Sequence, residues 1–285
     1  MEDLIRRCQG HLAQAWAERV RLTERALGDR YGFEQIVRGP TQAILAHRWP
    51  DAGAAVPFGR VFDYRAPDAG EVDPLLERLL TSPSDAVIEV LPGSHAARAE
   101  QLLLAYGYRP AWRIAWLALP LDGWDAQPSG LPLERVQGAA VETLADLLVE
   151  GYGYTGAIAT AWRDLAQHGY DAPQFTCLLA RVEGQPAALG VLHQRDETAL
   201  VDGATTLPQF RGRGLQGALL RARLRLARDA GARIAFSRTG VGSVSHANLL
   251  RAGLRPLAES AAWRRAPKQA GGANQAGFPA LPRNP

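Results

Sequence analysis

Residues Thr205–Leu220 read TTLPQFRGRGLQGALL. Gly212, Gly214 and Gly217 spell GxGxxG, the spacing found in dinucleotide-binding folds. Such a fingerprint opens the first strand-to-helix unit of its domain, precedes an acidic strand end by about 20 residues, and has most of a parallel sheet still ahead of it. None of this holds here: the next strand ends FSRT, and little foldable chain remains after Gly217. A narrower reading survives. Small residues let backbone N–H groups approach an anion, the helix from Leu215 points its positive end at the same spot, and Arg211 and Arg213 add charge. The stretch therefore predicts a pyrophosphate cradle. Pro208 ends the preceding strand and leaves strand-edge groups free to pair with an extended ligand.

Working outward, LPLERV predicts a strand, and AVETLADLLVEGY sets Val141, Leu144, Leu147, Leu148 and Gly151 on one helical face. A second helix covers Ile158 to Gln167. FTCLLARV, AALGVLH and TALVDGATT predict three antiparallel strands, the first two joined through Glu183–Pro186. The helix after the glycine loop carries an inward stripe of Leu215, Leu219, Ala222, Leu226 and Ala230 and stops at Gly231. Strand RIAFSRT, loop GVGSVS, helix SHANLLRA and a last strand through Trp263 complete the unit.

The first half ends similarly. Slid by 146 positions, Ile88, Leu103, Leu104, Gly107, Arg109, Pro110 and Ala115 fall on Ile234, Leu249, Leu250, Gly253, Arg255, Pro256 and Ala261 without a gap, which predicts an internal duplication. The expected organisation is a first domain over 1–120, a linker over 121–132, a second domain over 133–265 and a disordered tail over 266–285. Between strand RVFDY and helix VDPLLERLL the first half has RAPDAGE. There Asp68, Glu71 and Asp73 place negative charge where an anion would sit, and no Gly-x-Gly permits close approach. The first copy is expected to bind no such ligand, and to pack against the second half as a structural partner or a wall of its site.

With 285 residues, 47% of them hydrophobic and 21% charged, the chain can build two cores. Among 32 basic residues only Lys268 is a lysine, which excludes a Walker loop and a Schiff-base lysine from the folded body. The arginines are scattered. Their densest cluster, Arg221, Arg223, Arg225 and Arg228, reads as the solvated face of a helix rather than a nucleic-acid surface. Cys8 and Cys177 form no disulfide or zinc pattern, and no segment resembles a signal peptide or approaches ~20 apolar residues. A cytoplasmic protein without metal, membrane or nucleic-acid partner is expected; a homodimer is compatible with the sequence.

The order of elements from Leu131 to Trp263 resembles the GNAT (Gcn5-related) N-acetyltransferases. The family's loop, Arg/Gln-x-x-Gly-x-Gly/Ala after a strand and a proline, maps onto Arg211, Gly214 and Gln216, with Gln216 standing where Gly or Ala is usual. The register Gln209, Gly212, Gly214 also fits, but Pro208 and Leu219–Leu220 favour the first. The resemblance covers the second half well and the first half weakly. It implies an α/β (α+β mixed sheet) fold with two tandem GNAT-like acyl-CoA N-acyltransferase domains, the first degenerate, and transfer of the acetyl group of acetyl-CoA to an amine of a small molecule or peptide. By the same resemblance Ala204, Thr205 and Thr206 would bind the pantetheine arm. Arg211, Gly212, Arg213, Gly214, Leu215 and Gln216 would hold the pyrophosphate, with Asn248 as a further cofactor contact.

Amine acetylation needs a route for the amine proton and a donor for the leaving thiolate. The tyrosine that many family members place four residues before the last helix's terminal glycine is Leu249 here, and Gly242 stands for the usual asparagine. Ser245 or a water is left as the acid. Strand periodicity puts Leu200, Asp202, Ala204 and Thr206 on one face, and similar enzymes carry bases at positions matching Leu200 or Asp202. Asp202 is the candidate base, weighed equally against a carboxylate in a local ion pair or turn. Tyr152 and Tyr154, with Tyr170, flank the segment that forms the acceptor wall in this family. His193 and His246 lack a metal-type pattern and are expected in surface or loop roles. The missing tyrosine also suits an alternative, a non-catalytic acyl-CoA-binding regulator.

Overall fold

The helices and strands expected in the second half are present in the computed structural model, which describes residues 2–50, 57–68, 71–83, 85–125 and 130–265. The tail expected over 266–285 lies outside the described residues, as do 126–129 of the expected linker. The second half runs β6 (Leu133–Val136), α4 (Val141–Tyr152), α5 (Gly156–Gly169), β7 (Phe175–Val182), β8 (Gln185–Arg195), β9 (Thr198–Thr206), α6 (Leu215–Asp229), β10 (Ile234–Gly240), α7 (Val244–Arg251) and β11 (Arg255–Arg265). The β7–β8 turn is Glu183–Gly184, both at positive φ (52° and 79°), a geometry that follows the twist of the strands it joins.

The first half runs α1 (Glu2–Leu27), β1 (Phe33–Arg38), β2 (Thr41–Ala46), β3 (Gly59–Phe62), α2 (Pro74–Thr81), β4 (Ala86–Val90), α3 (Ala96–Ala105) and β5 (Tyr108–Pro120). Among the described residues all strands join one eleven-stranded mixed sheet, ordered β1-β2-β3-β4-β11-β5-β10-β9-β8-β7-β6. Each half thus lends its last strand to the other: β5 pairs with β10, and β11 with β4. Where β5 and β11 cross, Ile114 faces Ser260. These residues are 146 positions apart, as are the ion-paired Arg113 and Glu259 beside them. Equivalent positions meet at the crossing, as a twofold relation between two copies demands.

Helix α1 has no counterpart in the sequence reading. Its Ile5, Leu12 and Val20 share a core with Ile44 and Phe62 of the first half and Leu144, Leu165 and Leu200 of the second. At Gly169 a Cβ would stand 2.9 Å from Arg19 Cβ, so glycine there sets how closely α5 approaches α1. His11 Nε2 lies 2.7 Å from His193 Nδ1, His11 Nδ1 lies 2.6 Å from Thr198 Oγ1, and His193 Nε2 lies 3.1 Å from Glu18. His193 is therefore a buried seam residue, not the surface or loop residue expected; its polarity is satisfied across the interface, where sequence pattern cannot see a partner.

Two further expectations are corrected. The buried side of α6 comprises Leu215, Ala218, Leu219, Leu220, Ala222, Arg223, Leu224 and Ala227, while Leu226 is half-buried and Ala230 exposed. Arg223 lies inside rather than on a solvated face because it finds three carbonyl acceptors there, Leu219, Val191 and Asp202, at 3.0–3.1 Å. The common face of Leu200, Asp202, Ala204 and Thr206 is broken by a bulge: Val191 faces Asp202 while Gly190 faces Ala204, leaving Gly203 unpaired at φ 49°. The extra residue reverses the alternation beyond it.

Candidate active site

β9 and β10 pair in parallel only at Thr198–Leu200 against Ile234–Phe236, then part. At the parting Ser237 Oγ donates to the Val201 carbonyl at 2.7 Å. Arg223 holds the bulge from below, and a Cβ on Gly190 would stand 2.7 Å from its guanidinium. Beyond the bulge the Ala204 carbonyl takes Tyr152 Oη and the Thr206 carbonyl takes Arg211 Nε, both at 3.4 Å. Such long hydrogen bonds are weak, so this strand edge can exchange side-chain partners for those of an extended ligand. Helix α4 seats against it through Gly151, where a Cβ would collide with the Thr205 side chain.

The chain then makes a 3₁₀ turn at Pro208–Phe210 and enters the glycine loop. Gly212 and Gly214 adopt φ of 77° and 74°, conformations costly for other residues. Gly214 caps α6 with no side-chain hydrogen bond, so the first-turn N–H groups face outward, where the helix is positive. Gln216 reaches back, its Nε2 donating to the Thr205 carbonyl (2.7 Å) and lying 2.9 Å from Thr206 Oγ1. A cleft of ≈ 780 Å³ joins these parts: Ala204, Thr205, Thr206, Arg211, Gly212, Arg213, Gly214, Leu215 and Gln216 on one side, Tyr152, Ser245 and Asn248 on others. Asn248 Oδ1 accepts from Arg251. Leu249, four residues before Gly253, is buried and offers no proton.

Tyr154 and Asp202 are not part of that cleft lining. Tyr154 stacks between Tyr152 (5.8 Å between centroids) and Trp162 (5.4 Å). The Asp202 side chain is 38% exposed and lies 3.9 Å from Arg19 Nη1. Arg19 also donates to Tyr170 Oη at 2.7 Å, and burial pushes the Tyr170 phenol up to about 12. Sequence reasoning missed Arg19, Gly203 and Arg223. Glycine inside the strand pattern VDGATT is the one available signal for the bulge; Arg19 gave none, since the groups its guanidinium hydrogen-bonds or ion-pairs with, Tyr170 and Asp202, come from the other half. Among the described residues no cluster of His, Cys, Asp and Glu could hold a metal ion, and no helix is long and apolar enough to cross a membrane.

Parted parallel strands, a glycine loop and a helix start without a side-chain cap are the features of an α/β protein with an open strand edge beside a positive helix end. Residues 141–252 match the acetyltransferase (GNAT) family model. A GCN5-related N-acetyltransferase from Kribbella flavida is 18% identical, with 90% of this chain and 96% of that chain covered and a TM-score of 0.58. A GCN5-related N-acetyltransferase from Sphaerobacter thermophilus is 16% identical, with coverages of 79% and 76% and a TM-score of 0.54. A tandem GNAT protein from the clavulanic acid biosynthesis pathway is 15% identical, with coverages of 80% and 79% and a TM-score of 0.52. At these identities the likeness is one of fold. No curated protein matches the chain.

Proposed function

We propose that the chain moves the acetyl group of acetyl-CoA to the amine of a small molecule or peptide by direct transfer. The parting of β9 from β10 beside the uncapped start of α6 carries this reading. The pantetheine arm would pair along Ala204–Thr206, and the pyrophosphate would lie on the N–H groups and arginines of the glycine loop. The amine nitrogen attacks the thioester carbonyl carbon, the C–S bond breaks, Asp202 takes the amine's proton, and the thiolate is protonated by Ser245 or a water. The burial of Leu249 keeps a second reading in view, a regulator that binds acyl-CoA without turnover.

Calorimetry should give one equivalent of acetyl-CoA per chain, bound about 100-fold more weakly by Arg211→Glu, since a reversed charge-assisted contact is worth about 3 kcal/mol. Equal affinity would remove the loop from the site. Thiol release in an amine screen separates enzyme from regulator. Asp202→Asn should lower kcat by ~100-fold or more with acetyl-CoA affinity retained; an unchanged pH–rate profile would return Asp202 to an ion-pairing role.

A further inference from the structure

On the sheet face covered by α1, beside the cleft, buried guanidiniums outnumber buried carboxylates among the described residues. Arg19 is 5% exposed. Its guanidinium carbon lies 4.0 Å from the Trp16 ring centroid, and its Nη2 is buried with no hydrogen-bond partner. Arg60, also buried, lies 5.3 Å from the same ring, and its hydrogen bonds go to the carbonyls of Pro57, Phe58 and Gly59 rather than to a carboxylate. Glu89 is already engaged by Trp116, Ser260 and Arg238. Among the described residues, the guanidiniums of Arg19, Arg60 and Arg238 thus face two carboxylates, Glu89 and Asp202, while the nearby Glu18 carboxylate is taken by His193 and Arg21. A buried cation without a full counter-charge is expensive, and a donor left unpaired adds to the cost. Burial, followed by the neighbouring Arg238 charge, lowers the Arg60 pKa to about 9, as expected where positive charge is in excess.

We propose that this cluster anchors the acceptor, and that the acceptor is an amine bearing a carboxylate, in its simplest form an α-amino acid. The proposal rests on the acetyl-transfer reading above. The carboxylate would take the unpaired Nη2 of Arg19, with the Arg60 charge behind it, while the amine turns to Asp202. An α-amino acid carries both groups on one carbon, and Arg19 and Asp202 stand side by side, 3.9 Å apart, as partners for such a pair would. That separation marks a loose ion pair, readily exchanged for the ligand's own charges. Asp202 and Arg238 are the members of this cluster that reach solvent, their side chains 38% and 21% exposed. Because Arg19 and Arg60 belong to α1 and β3, the first half would set which amine the second half acetylates.

The test compares free L-amino acids with their C-terminal amides as acceptors at saturating acetyl-CoA, following thiol release. Acids should exceed amides by ~100-fold in kcat/KM, because a site built for a polar group rejects the analogue lacking it, and Arg19→Met should bring the ratio near one. Should that variant fail to fold, the wild-type ratio alone decides. Equal turnover of acids and amides, turnover of uncharged or cationic amines only, turnover of none of the acids, or a preference surviving in Arg19→Met overturns the proposal. Failure to bind acetyl-CoA, read separately by calorimetry, would strike the transfer reading instead.

Discussion

Helices α2 and α6 occupy matching places, each between two parallel neighbouring strands, β3 and β4 in one half and β9 and β10 in the other. Their first turns are wired in opposite ways. At α2 the fully buried Asp73 carboxylate accepts from the N–H groups of Leu75 (2.9 Å) and Leu76 (3.4 Å), from Arg38 at 2.8 Å and from Tyr64 Oη at 2.6 Å. At α6 no side chain caps the helix. The strands differ too: Tyr64 N still reaches the Glu89 carbonyl at 3.3 Å past the last β3–β4 pair, whereas β9 and β10 part. One half has supplied its own anion and closed the seam; the other leaves both open. Repulsion by Asp68, Glu71 and Asp73 together was the expectation, but Asp68 and Glu71 are exposed, and Asp73 fills the position itself.

The comparison is broken most forcefully at Asp73. Asp73→Ala removes a buried carboxylate from Arg38, Tyr64 and two helix N–H groups at once, and should cost about 4 kcal/mol of stability. Acetyl-CoA stoichiometry should stay at one equivalent. Denaturant melts read the first number and calorimetry the second. A loss below about 1 kcal/mol would mean that the cap is incidental, and a second equivalent would mean that emptying the helix start suffices to restore a site.

The second half was legible because its signals are local: period-3.6 and period-2 patterns divided by Gly184, Pro208, Gly231 and Gly253. The glycine loop was legible for the same reason, since few alternatives explain Gly212 and Gly214 after a proline. What escaped depends on partners distant in sequence. Local pattern does not say that β5 and β11 change places, that Arg223 will find carbonyl acceptors inside, or that α1 brings Arg19 to Asp202. Gly203 lay between: its residue type signals a bulge, but the alternation of its neighbours argued for a regular strand.

A smaller effect acts on the seam between the halves. Burial, then the charges of His193 and Arg195, holds His11 at about 3, against 6.5 for an unburied imidazole. Above pH 6.5 both folded and unfolded chains carry it neutral, so its contribution is complete. Between pH 6.5 and 3 the unfolded chain takes up the proton first, and stability falls by up to about 1.4 kcal/mol per pH unit. Burial lowers His193 as well and adds to the same loss. Urea melts at pH 7 and pH 5 should differ by about 2 kcal/mol, and the difference should shrink in His11→Gln. A pH-independent midpoint would mean that the seam opens to water before the chain unfolds.

The smallest effect sharpens the comparison from within α6. Gln216 applies weakly, in the open half, the device that Asp73 applies strongly in the closed one: a side chain at the helix start that bonds to protein groups a ligand would otherwise meet. It donates to the Thr205 carbonyl and lies against Thr206 Oγ1, on the strand edge proposed for the pantetheine arm. It is neutral, so a ligand displacing it forfeits only about 1 kcal/mol. Gln216→Ala should then bind acetyl-CoA about 3- to 5-fold more tightly, while the folded state loses about 1 kcal/mol through the missing tie between helix and strand. The two effects have opposite signs and separate readouts, calorimetry for affinity and denaturant melting for stability. Weaker acetyl-CoA binding in Gln216→Ala would place the amide in the cradle itself, as a positioning group that keeps the loop ready for the pyrophosphate rather than a competitor the ligand must displace.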